Sequence, residues 1–302
     1  MGLAGPPPRT VASLRGVRAS AGAGGRAPRL TGMPTIELNW RVVTYDEAGP
    51  ARPDRPPLLL LHGFTGGRQD FADVLEPLGE DRRVVVVDLP GHGDSEGSDD
   101  TAAYGLASTA AWVAQFADAV ALGDFHLLGH SLGGLIAQRV AAGASQRLRS
   151  LVLMDTGLGA PREEPAERVV RIALAARDEG PEAAAAASLD DASASDEERA
   201  EATARFRALN PAAVVGAARG LVHAVPLSAF LRGIDVPVLV LHGEQDETWT
   251  LSEQRLLAAT VAGAEHVVIP AAAHSPQREN PEAWLAALRG FLRRVDETAS
   301  GG

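Results

Sequence analysis

The residues best placed to do chemistry are Gly129-His130-Ser131-Leu132-Gly133, followed by Gly134. A serine with small residues two before and two after marks a tight turn that lifts one side chain clear of its neighbours. Such a turn strains the central residue, and the glycines keep the chain from colliding with itself. The chemistry this suits is nucleophilic attack on a carbonyl carbon. The next residue's N–H, at a helix N-terminus, would face the negative charge that develops. In a chain with 32 glycines the five-residue pattern alone is weak, and its place between a strand and a helix gives it force. A serine hydroxyl is a poor nucleophile at neutral pH, so it needs an adjacent base that is itself held by an acid. Histidine is the expected base, and His223, His242, His266 and His274 follow Ser131.

The scaffold for these side chains is written in short apolar runs. Ile36–Glu47 has strand composition around the turn former Asn39 and predicts an antiparallel entry pair. Leu58–Leu61 and Val84–Val87 are strand-sized runs ending in His62-Gly63 and Asp88. Ala102–Ala121 spaces Trp112, Val113, Phe116 and Val120 as one helix face. Phe125–Leu128 is a strand running into Gly129, with a helix at Leu135–Ala142. Strands at Leu151–Met154, Val236–Leu241 and His266–Ile269 then alternate with helices at Leu251–Val261 and Pro281–Val295. Apolar strands alternating with helices predict an α/β fold, a mostly parallel twisted sheet flanked by helices. Residues 160–233 break the rhythm, since they hold no convincing strand and are cut by Pro161, Pro165, Gly180, Pro181 and Pro211. About 70 residues is long for a plain crossover, so a helical cap is expected there. The core then comprises 33–159 and 234–297, with a flexible tail at 298–302.

From Met33 to Val295 the chain resembles the serine-nucleophile branch of the α/β-hydrolase family. The resemblance implies Ser131 as nucleophile and the chain order serine, acid, histidine. It also implies an oxyanion loop at His62-Gly63-Phe64-Thr65-Gly66. The backbone N–H groups of Phe64 and Leu132 would then stabilise the tetrahedral oxyanion. The base falls in the loop between the last strand and the last helix, which holds His274. The acid follows the penultimate strand, where Asp246 matches the usual residue. Glu244 and Asp155 remain alternatives. Asp88–Ser95 is similar to a family loop whose His92 and Asp94 are expected to pin a turn rather than catalyse. Many relatives carry glycine immediately before the base, whereas this chain has Ala273, which adds strain only if φ is positive there.

Serine at the elbow, rather than aspartate, disfavours the haloalkane dehalogenase and epoxide hydrolase branches. The resemblance implies two-step hydrolysis of a small carboxylic ester or lactone. Alternatives are C–C bond hydrolysis, a lyase like 2-succinyl-6-hydroxy-2,4-cyclohexadiene-1-carboxylate synthase, and a non-catalytic small-molecule receptor. Arg278-Glu279-Asn280-Pro281 is similar to the synthase family. Those enzymes tend to carry arginine after the elbow glycines, where this chain has Leu135. Phe64, Trp112 and Trp249 are candidate pocket residues. Arg207 or Arg219 could meet a substrate carboxylate, although a solvated helix face is the simpler reading of both.

Composition narrows the remaining classes. The chain has 302 residues, no cysteine and a formal net charge of −11, with all 28 basic residues arginine. Without cysteine no disulfide framework forms, and a cytoplasmic location fits. The negative balance argues against nucleic acid as partner. No apolar run approaches the roughly 20 residues of a membrane span. Neither metal-ligand spacing nor a dinucleotide fingerprint occurs, so a small-molecule substrate and no cofactor are expected. Residues 1–32 carry five arginines and no acid among Gly, Pro, Ala and Ser, and are expected to form a disordered leader. Oligomeric state leaves no trace in the sequence.

Overall fold

Four leucines in a row and four valines in a row have no polar face to offer water. Leu58–Leu61 and Val84–Val87 accordingly lie fully buried as adjacent parallel strands. The computed structural model describes residues 34–39, 41–189 and 194–300; the expected leader at 1–32 lies outside them. The strands are β1 (Thr35–Leu38), β2 (Arg41–Ala48), β3 (Leu58–Leu61), β4 (Val84–Val87), β5 (Phe125–His130), β6 (Leu148–Met154), β7 (Val238–Gly243) and β8 (Glu265–Ile269). They form one sheet in the order β1-β2-β4-β3-β5-β6-β7-β8. β1 and β2 are antiparallel and β3 to β8 parallel, with Asn39 at φ 54° in the turn between the first two.

Helices cover both faces of this sheet. They are α1 (Ala72–Leu78), α2 (Leu106–Ala119), α3 (Leu132–Ala144), α4 (Glu163–Asp178), α5 (Pro181–Ser188), α6 (Asp196–Arg207), α7 (Pro211–Val222), α8 (Ser228–Leu231), α9 (Leu251–Thr260), α10 (Pro276–Glu279) and α11 (Pro281–Ser300). Because side chains alternate along a strand, Leu59, Leu61, Val85 and Val87 pack with α2 and α3, whereas Leu58, Leu60, Val84 and Val86 pack with α1 and α11. Trp284 on α11 is fully buried, and its indole N–H donates to Met154 Sδ.

Several boundaries differ from expectation, each for a local reason. The helix expected at Ala102–Ala121 is broken by Gly105, whose extended backbone separates a 3-10 turn at Thr101–Tyr104 from α2. β5 continues through Gly129 to His130, because Gly129 and His130 keep pairing with Leu153 and Met154. α11 passes the expected core end at 297 and reaches Ser300, with the Thr298 hydroxyl donating to the Arg294 carbonyl. Between β6 and β7 the described residues hold α4 to α8 and no strand. This insertion is fastened to the core at Asn210 N–H→Gly91 O and at Arg139 Nη2→Val225 O. Among the described residues no helix is long and apolar enough to cross a membrane.

Away from the elbow, one buried polar group ties α11 to the sheet. Asp296 accepts from Arg82 Nη2 at 2.8 Å and from His126 Nε2 at 3.1 Å. His126 Nδ1 then accepts from the Ser150 hydroxyl at 2.8 Å. Removing one member strands the buried charge of the other, which typically costs 3–5 kcal/mol. Asp296→Ala should therefore lose about 3 kcal/mol of stability in urea unfolding, while Glu297→Ala on the neighbouring exposed position should stay near wild type.

Candidate active site

The backbone at the centre of the site is strained. Ser131 adopts φ 55° and ψ −118° at the junction of β5 and α3. Its N–H donates to Met154 O at 2.9 Å, and its carbonyl accepts from the Thr156 hydroxyl at 2.8 Å. No Cβ fits at the glycines two residues to either side of it. One added at Gly129 would lie 2.2 Å from Gly133 O, and one at Gly133 would lie 2.6 Å from both Leu61 O and His62 O. The small residues of the motif are therefore demanded by close backbone approach.

Three side chains far apart in sequence meet at this turn. His274, in the loop after β8, has Nε2 3.1 Å from Ser131 Oγ and Nδ1 3.0 Å from Asp246 Oδ1. The tautomer that satisfies both contacts carries its proton on Nδ1, which donates to Asp246. Nε2 is then left to accept from the serine hydroxyl. His242 and His266 pair with each other, Nε2 to Nε2 at 2.9 Å, and His223 ends α7 in an exposed position. Ala273 is not among the positive-φ residues, so its side chain adds no strain ahead of His274.

Asp246 is buried, and both of its oxygens accept hydrogen bonds. Besides His274 it accepts from the Thr248 amide at 2.9 Å and from Gln254 Nε2 at 3.0 Å. Burial alone would raise its carboxyl, but the bonds from His274 and Thr248 outweigh burial and hold it below the usual carboxylate range. Glu244 is exposed, and its carboxylate accepts from the Ala271 amide. Asp155 is fully buried, accepts from the Gly243 amide at 3.0 Å, and is pushed well above the usual range by burial and by Asp246. Asp155, Asp246 and His274 each offer one potential ligand atom, all within 4.8 Å of one another. Those of His274 and Asp246 already bond each other, so the grouping is a hydrogen-bonded relay before it is a cation site.

Sequence reasoning missed the supports around this relay. His130 donates from Nε2 to the His274 carbonyl at 2.6 Å, fixing the backbone of that loop. Burial and then the neighbouring His274 push His130 down to about 4, so it is neutral at pH 7. Gln254 lies on the buried side of α9, one helical turn after Thr250. Its only sequence signal is a polar residue on an otherwise core-facing stripe.

The loop that carries Phe64 is held from behind. His92 is buried and donates from Nε2 to Phe64 O at 2.9 Å. His62 accepts from the Leu89 amide at 3.0 Å. Asp94 pairs with Arg68 at 2.7 Å, and Arg68 also pairs with the buried Asp88. His92 and Asp94 thus brace the loop that carries Phe64. Phe64 lines the same cavity as Ser131. Leu132 opens α3, so its N–H is among the first four of the helix, which lack intrahelical acceptors.

That cavity has a volume of about 400 Å³ and lies between the sheet's C-terminal edge and the insertion. The insertion gives it an apolar wall of Val169, Ile172, Phe206 and Leu221. Trp249 and Trp112 do not line it: Trp249 is buried with its ring stacked against His274 at 6.1 Å, and Trp112 stacks on Phe116 at 5.6 Å. Nor do Arg207, which pairs with Glu182, or Arg219. The arginines on the cavity are Arg168, Arg205 and Arg278. Arg205 precedes Arg207 by two residues, about 200° around the helix, which is why one faces in and the other out.

Residues 56–281 match the family model described as alpha/beta hydrolase fold. The chain is 32% identical over 252 residues to a 2-succinyl-6-hydroxy-2,4-cyclohexadiene-1-carboxylate synthase of an Enterobacter species, covering 80% of this chain and 93% of that one. A shorter match, 40% identical over 98 residues, is to the dihydrolipoyllysine-residue acetyltransferase component of the acetoin cleaving system of Cupriavidus necator; it covers 32% of this chain and 26% of that one. Among solved structures, an enol-lactonase from Burkholderia xenovorans has TM-score 0.76 and 26% identity, over 86% of this chain and 100% of that one. A thermophilic esterase from Thermogutta terrifontis has TM-score 0.75 and 28% identity, over 88% and 99%.

The buried neutral histidines set a pH dependence of stability. His62, like His130, is lowered to about 4, chiefly by burial. Unfolding returns both to near the ordinary imidazole value of 6.5, so below that pH the unfolded chain binds more protons than the native one. Stability should be flat above pH 6.5 on their account and fall as pH drops toward 4. The expected fall is about 1–2 kcal/mol per histidine by pH 5, read by denaturant unfolding at both pH values. His130→Asn should flatten part of that slope.

Proposed function

We propose that this chain, which belongs to the α/β hydrolase fold family, hydrolyses a small carboxylic ester or lactone by two-step acyl transfer. Membership of that family, with an esterase and an enol-lactonase among the structural neighbours, makes it an enzyme of hydrolase type. The observation that carries the proposal is the line Ser131 Oγ–His274 Nε2 at 3.1 Å, continued as His274 Nδ1–Asp246 Oδ1 at 3.0 Å. In this reading His274 takes the hydroxyl proton while Ser131 attacks the carbonyl carbon. The Phe64 and Leu132 amides receive the oxyanion, and Asp246 stabilises the imidazolium. Collapse of the intermediate expels the alkoxide, which takes the proton from His274. In a lactone the alkoxide stays tethered. Water, deprotonated by the same His274, then attacks the acyl-serine and releases the acid. The helical insertion at 160–233 serves as the cap, and its apolar wall favours a substrate with a hydrocarbon flank.

The similarity to the synthase, which extends over nearly that protein's whole length, supports a second reading: lyase chemistry by the same three side chains. Against it, Leu135 is fully buried in the core, and no arginine stands after the elbow glycines.

Two experiments test the proposal. A fluorophosphonate probe should label the wild-type protein and leave Ser131→Ala unlabelled; persistent labelling would move the nucleophile. With short p-nitrophenyl esters, Asp246→Asn should lower kcat by about 10³-fold or more. No turnover of any ester or lactone would favour the lyase reading.

A further inference from the structure

We infer that Asp155 is a positioning residue of this site, a neutral acid that donates its carboxyl proton to the Asp246 carboxylate and so holds that carboxylate for His274. The inference rests on the reading of Asp246 as the acid partner of His274. Asp155 ends β6, is fully buried, and sits at φ 44°, a left-handed conformation that aspartate tolerates better than most residues. Its Oδ1 accepts from the Gly243 amide at 3.0 Å, but its Oδ2 is buried with no hydrogen-bond partner. An ionised carboxylate oxygen without a donor is costly in such a place.

Two facts assign the proton. The carboxylates of Asp155 and Asp246 each bring an atom within 4.8 Å of the other and of His274, out of contact with water. Like charges so close do not both ionise readily, and the proton goes to the carboxylate with fewer donors. Asp246 has three donors, from His274, Thr248 and Gln254; Asp155 has one, from Gly243. A proton on Asp155 Oδ2 turns the orphaned atom into a donor and gives Asp246 a fourth bond. The other charged or titratable groups facing the pair are Glu279 on α10, which further disfavours a charge on Asp155, and His130 at the end of β5, which acts on Asp246. Burial, followed by Asp246, accounts for the raised Asp155 carboxyl.

The test compares Asp155→Asn and Asp155→Ala by the pH profile of kcat/KM on a p-nitrophenyl ester, whose acidic limb reports protonation of His274. Asparagine keeps a neutral donor and the acceptor for Gly243, so D155N should hold kcat within about threefold and leave the acidic limb in place. Alanine removes the donor, leaving Asp246 more basic, so D155A should cut kcat about tenfold and move the limb to higher pH. A limb displaced to lower pH in D155N would mean that Asp155 is ionised, and would overturn the inference. A D155A profile like wild type would overturn it too. Should D155A fail to fold, infrared spectra of wild type and D155N at pH 7 still decide: a protonated-acid carbonyl stretch that D155N lacks supports the inference, and its absence from wild type refutes it. Asp246→Asn run alongside separates the failures. If D246N stays active, the acid assignment of the site is wrong; if D246N is dead while D155N misbehaves, only the role of Asp155 is.

Discussion

Ser131 holds backbone angles of φ 55° and ψ −118°, which cost an ordinary residue about 1–3 kcal/mol. The surrounding structure is arranged to sustain that cost. β5 is hydrogen-bonded on both sides, to β3 and β6, and cannot slide. α3 begins at the next residue and presses Gly133 against the carbonyls of Leu61 and His62. The Ser131 N–H and C=O are each taken by the adjoining strand end, at Met154 and Thr156. With every neighbouring path closed, the hydroxyl stands at the C-terminal edge of the sheet, where open α/β sheets bind ligands.

The same economy runs through the polar groups behind it. Histidines 62, 92 and 130 are buried as neutral hydrogen-bonding groups that hold backbone, not as acids or bases. Each holds one backbone group: His130 the His274 carbonyl, His92 the Phe64 carbonyl, and His62 the Leu89 amide. His274 differs because both ring nitrogens face side-chain oxygens, those of Asp246 and Ser131, and because it is half-buried on the cavity. Environment, not residue type, sets His274 apart from the other three.

Most of the fold was legible because its core strands are uninterrupted apolar runs, which leave few alternatives to a buried parallel sheet. The meeting of Ser131, Asp246 and His274 was legible for a related reason. Each follows a strand end, and strand ends are the features that periodicity and resemblance fix best. What could not be read was side-chain direction on the insertion helices. α6 carries arginines at 205 and 207, and no pattern in its polar sequence says which faces the cavity. Gln254 escaped notice, and Asp155 was legible only as a rival acid, because a single polar residue among apolar ones reads equally as a core hydrogen bond. Only their convergence on Asp246 distinguishes them. The break at Gly105 was visible as a glycine but carried no signal of the extended backbone adopted there.

The central claim is that an acyl group passes through Ser131 Oγ, with His274 moving the protons. The most direct measurement is peptide-level mass spectrometry of enzyme quenched in acid during turnover of an activated ester. The account predicts one acyl adduct per chain, carried on the peptide containing Ser131 and released with time. Turnover with no adduct at any quench time, or with an adduct on another residue that forms as fast as product, would contradict it.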